Sequence, residues 1–334
     1  MSVISAVHTT LTTQEQAAAQ RGSLLLDRSE WGRLRLQGSP GLDYLHSQST
    51  QNLKALAPGQ GADTVFVSPA AGILDLATVY VEEEASWIWT SPQRRSLLMQ
   101  SLGRMLPFVR GAQLADATDQ TFAFGLIGPQ SQALLEKVVA AEEIPTKLYE
   151  HRQVAIQGIP VHLACGSGLA QPGFTLWGNL EHKAALADCL LQAGAELASP
   201  ELWEALRLEA GRPAADRELT PDYNPLEAGL WHAISLSKGC YIGQEVLAKQ
   251  VTYRRIRQTL WGIRLQGEAQ PGADIVRQGE KIGVLTSAGS TSQGYWGLGY
   301  VRTKFEPAEG WEVEVGSVAG ILTRPPFLSF PPVV

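Results

Sequence analysis

After about residue 255 the chain loses every stretch of helical period and continues as TLWGIRLQG, KIGVLTSAG, GYWGLGYV and WEVEVGSVAGIL, separated by glycine-rich turns. In WEVEV the apolar Trp311, Val313 and Val315 alternate with Glu312 and Glu314. Successive side chains of a strand point to opposite faces, so this alternation predicts a strand with one face buried. Several such runs in series predict a small all-β unit at the end of the chain, a barrel over residues 255–334.

The preceding residues read differently. Proline stands directly after a cap or turn residue at Ser39-Pro40, Ser91-Pro92, Gly128-Pro129 and Ser199-Pro200. Proline is tolerated in a first helical turn because the N–H it lacks has no partner there. Each pair is followed by apolar residues near helical spacing, such as Leu42 and Leu45, Leu98 and Leu102, Leu134 and Leu135, and Leu202 and Leu206. A fifth helix is predicted from Glu181 to Ala193, with Cys189 on its apolar stripe and Gly194 ending it. Between the helices lie strand-like runs, ADTVFVSP, ILDLATVYVEE, ASWIWTS, TFAFGLIG, IPVHLAC and GFTLWG. The fold class is α+β, and 334 residues exceed what one core usually serves, so two or three packed units are expected.

A formal charge of −6 gives the whole molecule a field that repels polyanions, so a nucleic-acid partner needs a local basic patch. KQVTYRRIR, residues 249–257, is such a patch, and it reads either as a solvated strand face or as a receiver for RNA or a polyglutamate tail. The tryptophans, with Trp87, Trp89, Trp261 and Trp311 in strand-like runs, read as packing rather than as stacking platforms. The first 22 residues lack the apolar core of a signal peptide, and no run approaches the roughly 20 apolar residues of a membrane span. The expected location is cytoplasmic, with no membrane partner. Cys165, Cys189 and Cys240 are far apart and form no CxxC pair. They predict neither a disulfide framework nor a zinc ribbon, and an iron–sulfur cluster wants about four cysteine ligands, so no metal is expected on this chain alone.

LSKGCYIGQEVLAK, residues 236–249, sets Cys240 between Gly239 and Gly243, ahead of the helix formers Gln244 to Lys249. A thiol near a helix N-terminus, with Lys238 two residues away, has two reasons for a lowered pKa. Two readings stand: a reactive thiolate, or a small buried apolar residue as free cysteines usually are. His232 lies eight residues upstream, which gives no obvious partner for a Cys–His hydrolase.

KGCYIGQE resembles the signature of the YgfZ family of folate-binding proteins of iron–sulfur cluster assembly or repair, relatives of the glycine-cleavage T-protein, an aminomethyltransferase. RLEAGRPAADRELTPDYNPLEAGL, residues 207–230, is similar to the segment both families carry just upstream. GSPGLDYLHSQSTQNLKALAPGQGADTVFVSPAAGILDLATVY, GLIGPQSQALL and IGVLTSAGSTSQGYWGLGYV resemble their other parts, so the resemblance spans about residues 22–325. It implies a T-protein-like ring of three lobes, a folate-binding domain over residues 1–248 made of two α+β lobes, and a closing β-barrel.

The same resemblance implies tetrahydrofolate, or a one-carbon derivative, as cofactor. T-proteins carry a TGEDGFE-like stretch whose acid lies in the folate pocket; here LAQPGFT sets Gln171 in its place, and WIWTSPQRRSLL replaces an Asn-rich segment. Both departures weigh against aminomethyl transfer. Candidate folate contacts are Arg207, Tyr80, Asp75 and Glu227, against the alternatives of an Arg207–Glu204 pair, a core tyrosine, a turn aspartate and a capping glutamate. Cys240 is the expected functional thiol, with Lys238 depressing its pKa and Gln244 and Glu245 hydrogen-bonding around it, although Lys238 and Glu245 also read as a surface ion pair. The expected function is a folate-dependent accessory to iron–sulfur assembly or client proteins. The alternatives are a folate-dependent one-carbon transferase and a factor assisting tRNA modification.

Overall fold

The computed structural model describes residue 15 and residues 19–330. In chain order the body runs β1 (Leu24–Asp27), β2 (Trp31–Gln37), α1 (Gly41–Gln48), β3 (Gly61–Val67), β4 (Ile73–Val81), β5 (Ala85–Pro92), α2 (Arg95–Gly103), β6 (Gln113–Asp116), β7 (Thr121–Ile127) and α3 (Ser131–Leu135). It continues through β8 (His151–Ile156), β9 (Ile159–Cys165), β10 (Gly173–Asn179), α4 (Lys183–Gln192), β11 (Glu196–Leu197), α5 (Pro200–Ala210) and α6 (Gln244–Thr252). The final six strands are β12 (Gln258–Leu265), β13 (Asp274–Arg277), β14 (Glu280–Thr291), β15 (Gly294–Arg302), β16 (Glu312–Val315) and β17 (Val318–Thr323).

These strands form three sheets: β3-β4-β5-β2-β6, then β11-β1-β7-β10-β9-β8, then a closed barrel β12-β15-β14-β13-β16-β17. The barrel closes where Gly262 to Leu265 of β12 pair with Gly320 to Thr323 of β17, which removes the exposed edges an open sheet would carry. The WEVEV alternation appears as expected, with Val313 and Val315 buried and Glu312 and Glu314 exposed. Gly297 and Gly299 leave room in the barrel interior: a Cβ on either would sit 2.6 Å from Leu285 Cδ1 or 2.7 Å from Ile275 Cδ1. The α+β body with its β-barrel is the expected class, while β1, β2, β6, β8, β11 and β13 were not among the predicted runs.

The cap-then-proline pattern places helices unevenly. At α5 it holds in full: Ser199 is extended, Pro200 opens the helix, and Gly211 closes it at φ 79°. At Ser91-Pro92 it fails, because Pro92 ends strand β5, Gln93 turns through φ 65° and α2 begins only at Arg95. Proline lacks a ladder N–H, so a strand end suits it as well as a first helical turn. After Gly128-Pro129 the helix lasts only five residues, and the β-branched Val138 and Val139 lie in a turn. The fifth predicted helix is present as a 3-10 turn over Leu180–His182 running into α4, with Cys189 in the core.

Each α+β lobe has its own core. α1 and α2 cover one face of the five-stranded sheet through Leu45, Leu98 and Leu102; α3 and α4 cover the six-stranded sheet through Leu134, Leu135, Leu186 and Leu190. The opposite faces of the two sheets meet through Tyr80, Trp87 and Trp89 on one side and Trp177 on the other. Burying each such aromatic contributes about 2–3 kcal/mol, which is what holds the lobes together. The barrel docks on α5 and on residues 219–233 through Leu208, Leu219, Leu230, Leu298 and Tyr300. Helix α6 runs on to Thr252, four residues past the division expected at 248. Among the described residues no helix is long and apolar enough to cross a membrane.

Candidate functional site

Strand register assembles a polar cluster where the lobes meet. Asp63 pairs with Thr78 and Gly61 with Tyr80 across β3 and β4, while Thr78 pairs with Trp89 and Tyr80 with Trp87 across β4 and β5. Directly paired residues point to one face, so Asp63, Thr78, Tyr80, Trp87 and Trp89 all look toward the second lobe. From that lobe Trp177 stacks on Tyr80 with ring centroids 5.0 Å apart and meets Trp89 edge-on at 5.5 Å. Behind it His162 lies parallel to Trp177 at 4.7 Å, and burial pulls its imidazole down to about 4, so it is neutral at pH 7.

Two buried arginines face this cluster. The Arg28 guanidinium lies 3.9 Å over the Trp31 ring and donates from Nη1 to the Ser167 carbonyl at 3.1 Å. Arg212 lies 5.4 Å from the same ring and donates to the Gly168 carbonyl at 2.8 Å. Burial, reinforced by the Arg212 charge, brings Arg28 down to about 9. Asp63 is their counter-charge. Burial alone would raise its carboxyl, but His232, with Nε2 at 3.7 Å, the Arg212 charge, and the Thr78 hydroxyl donating at 2.6 Å hold it below the usual range. Tyr149 adjoins Asp63 and sits at φ 63°, a left-handed conformation rare for a bulky residue. Burial lifts the phenols of Tyr80 and Tyr149 well above their ordinary value, so both stay protonated donors.

Arg28 Nε, Trp89 Nε1 and Trp177 Nε1 are buried in this region without a hydrogen-bond partner. Leaving such a group unpaired costs roughly 1–3 kcal/mol, so several together call for an explanation. Asp75 is fully buried, and its Oδ2 accepts from the Ser91 backbone N–H at 2.9 Å. Burial pushes its carboxyl up to about 6, although the Ser91 hydrogen bonds and the charges of Arg94 and Arg212 pull the other way.

The KGCYIG part of KGCYIGQE is a loop ahead of α6, and Cys240 on it is exposed. It is not the buried apolar residue of the alternative reading. Its expected activators are elsewhere. The Lys238 ammonium donates to the carbonyls of His46, Ser49 and Gln51, the last two at 2.6 and 2.8 Å, and these acceptors favour its charged form while burial pulls it down to about 7. Lys238 therefore ties the loop to the end of α1 instead of serving the thiol. Helix α6 starts at Gln244, four residues after Cys240, so the thiol is not in its first turn. Gln244 Nε2 donates to the Lys238 carbonyl at 3.3 Å, and Glu245 forms an exposed ion pair with Lys249 at 2.6 Å. Gly243, at φ 81°, is the hinge of this arrangement, since a Cβ there would stand 2.9 Å from Val67 Cγ2 and 3.0 Å from the Ser68 carbonyl oxygen.

Of the four expected folate contacts, Asp75, paired with Phe66 and an odd number of residues from Tyr80, faces the core under α1 and α2, and Tyr80 belongs to the region between the lobes. Arg207 does not. Its guanidinium is sealed under the barrel, gripping Glu204 at 2.6 and 2.5 Å, Glu218 at 3.4 Å and Ser287 Oγ at 2.9 Å. The pairing with Glu204 is the alternative already considered. Its helical position one turn after Trp203 is real, but the barrel covers the face expected to be open. Glu227 caps its own loop by accepting from the Asn224 N–H at 3.2 Å and lines a separate cavity. Sequence reasoning missed Asp63, Arg28, Arg212, Tyr149 and Trp177. Period two along ADTVF and LATVY could have put Asp63 beside Tyr80, whereas the arginines come from turns that only the tertiary fold brings together. Among the described residues no group of three or more His, Cys, Asp or Glu stands ready to hold a metal.

Comparison with known proteins agrees with this architecture. The GCVT N-terminal domain family matches residues 5–238. The chain is 36% identical over 315 residues to an Arabidopsis thaliana protein named "Putative transferase At1g60990, chloroplastic", covering 93% of this chain and 73% of that one. It is 25% identical over 351 residues to the aminomethyltransferase of Halothermothrix orenii, covering 96% and 93% of the two chains. The crystal structure of glycine cleavage system aminomethyltransferase T from Bartonella henselae superposes with a TM-score of 0.82 at 21% identity, over 94% of this chain and 89% of that one, which establishes the shared fold. The α+β body, its closing barrel and the match over most of the chain together mean that this protein belongs to the GCVT N-terminal domain family, the aminomethyltransferase-like transferases.

Proposed function

We propose that the chain is a tetrahydrofolate-dependent one-carbon transferase whose cofactor lies against the cluster between the two lobes. The observation that carries this reading is the set of buried, unpartnered polar atoms around stacked aromatics: Arg28 Nε, Trp89 Nε1 and Trp177 Nε1. A pterin is flat and edged with donors and acceptors, which is what those atoms lack. Tyr80 and Trp89 supply faces, Asp63 supplies a carboxylate for its amino and ring N–H edge, and Arg28 and Arg212 supply donors for its carbonyl. When bound, tetrahydrofolate supplies a one-carbon unit held on its ring nitrogens. The substitution of Gln171 for an acid in LAQPGFT removes one carboxylate, but Asp63 remains within the cluster.

Titration with tetrahydrofolate and its methylene and formyl derivatives is expected to quench tryptophan fluorescence, and Trp89→Phe with Trp177→Phe to remove most of the change. Arg28→Met is expected to weaken binding about ten-fold, from the loss of one charge-assisted hydrogen bond. Absence of any fluorescence response at millimolar folate ends this reading.

A second reading, support of iron–sulfur cluster assembly or repair, is favoured by one observation: Cys240 is exposed on a loop that Lys238 and Gly243 hold in one shape. The sulfur is then offered to a partner protein, either as a shared cluster ligand or as a repair thiol. In a strain lacking this protein, Cys240→Ala is expected to leave iron–sulfur enzyme activity unrestored while the wild-type chain restores it. Full restoration by the variant removes the thiol from the account.

A further inference from the structure

We propose that the groove between α6 and the barrel binds a nucleoside di- or triphosphate. It shares no residue with the lobe cluster and is independent of the function proposed above. Two cavities carry the inference, one of about 390 Å³ and one of about 850 Å³, joined at Arg255 and Arg257, which line both. The larger is lined by Arg254, Arg255, Arg257, Arg302 and Lys304 and by no acidic residue, on a chain whose net charge is −6. Among the described residues none of these four arginines forms a side-chain ion pair within 4.0 Å, Lys304 reaches Glu280 only at 3.9 Å, and Arg257 acts on Glu227 through its charge and its backbone N–H. An anion entering this groove meets five exposed cations at once.

The groove is built rather than incidental. The segment 253–257 is neither the strand face expected for KQVTYRRIR nor a loose linker: Arg254 takes φ 49°, the Arg255 N–H donates to Gln250, and Thr303 holds both sides, its hydroxyl donating to the Ile256 carbonyl at 2.6 Å and its N–H to that of Arg257 at 2.9 Å. The smaller cavity adds carboxylates to these cations. Beside Arg255, Arg257 and Lys249 it is lined by Tyr223, which stacks on Tyr300 at 3.6 Å, by Asn224, and by the carboxylates of Asp222 and Glu227. Those carboxylates repel phosphate and accept from amino and ring N–H groups, so a ligand spanning both cavities has one orientation: flat polar head at Tyr223, phosphates beyond Arg255 and Arg257. About 390 Å³ lies within the range of small-ligand pockets. Arginine forks match phosphate oxygens, and a mainly carboxylate ligand such as an acidic peptide would have no group for the acidic head pocket.

Calorimetric titration of the full chain at low salt, with ATP, ADP, adenosine, tripolyphosphate and a 12-nucleotide single-stranded RNA, tests this. ATP and ADP are expected to bind, more tightly than adenosine or tripolyphosphate alone, and more weakly as salt rises. Arg255→Gln with Arg257→Gln, on exposed side chains whose loss leaves thermal unfolding unchanged, is expected to weaken ATP by at least about ten-fold, and Glu227→Gln to narrow the gap between ATP and tripolyphosphate. Tripolyphosphate binding as well as ATP overturns the head pocket, RNA binding far more tightly than ATP transfers the groove to a nucleic-acid strand, and no heat with any nucleotide removes the proposal.

Discussion

Arg207→Ala is expected to lower stability by about 3–5 kcal/mol, the range for removing one partner of a buried ion pair. Arg207 is 2% exposed and Glu218, at 3.4 Å, is fully buried. Glu218 also accepts from Ser287 and Thr286 at 2.6 Å each, on strand β14, and from the Ala214 N–H at 2.9 Å. Removing the guanidinium leaves a buried carboxylate with neutral donors only, and it unpins α5 from the barrel. Urea denaturation should show the midpoint falling sharply. Arg207→Met combined with Glu218→Gln should recover much of the loss, because the uncompensated charge is then gone. If Arg207→Ala unfolds at the wild-type midpoint while abolishing folate quenching, the residue belongs to the ligand site and this account of the interface is wrong. Loss of quenching together with loss of stability says nothing about contact.

The second large effect is at Asp75. Its carboxyl is raised to about 6 in the fold from an ordinary 3.8. A group raised on folding contributes stability fully present below its unfolded pKa, which is lost as pH rises through the folded value. Between about pH 4 and 6 that contribution disappears, and above pH 6 the buried carboxylate costs about 3 kcal/mol. Asp75→Asn is therefore expected to raise the thermal midpoint at pH 8 and to change it little at pH 4, since the amide can still accept from the Ser91 N–H. The same variant is expected to leave folate quenching unchanged, because the side chain faces the core under α1 and α2. An unchanged pH dependence of stability removes the burial argument.

Much of the architecture was legible because it rests on local periods. Alternation in WEVEV and in LATVY needs only a pleat and one buried face, and both are strands in the fold. The same period fails for short central strands such as LLLD and for two-residue β11, which bury both faces or make only two pairings. Proline marks chain direction but not the element: at Pro200 it opens a helix, and at Pro92 it closes a strand.

The site was legible only where a motif and a strand face coincided. Tyr80 and Asp75 lie on one strand five residues apart, so the period that carries Tyr80 into the region between the lobes turns Asp75 to the other face. Arg207 looked free because helical spacing says which side of a helix a residue occupies and not what docks there; strand β14, roughly 80 residues later, decided it. Lys238 looked like the partner of Cys240 because two residues separate them, yet its long side chain reaches carbonyls nearly 190 positions earlier.

From the chain alone came the class of each element, the all-β tail and the exposed-or-buried choice for alternating positions, all of which depend on forces acting over a few residues. Tertiary structure alone brought Arg28, Arg212 and Asp63 around Trp177, sealed Arg207 beneath the barrel and left the arginines of residues 254–257 facing Arg302 and Lys304. The reason is that a charge's partner is set by distance in space: desolvation and pairing act through whatever the fold packs within a few ångströms, and no spacing along the sequence carries that information.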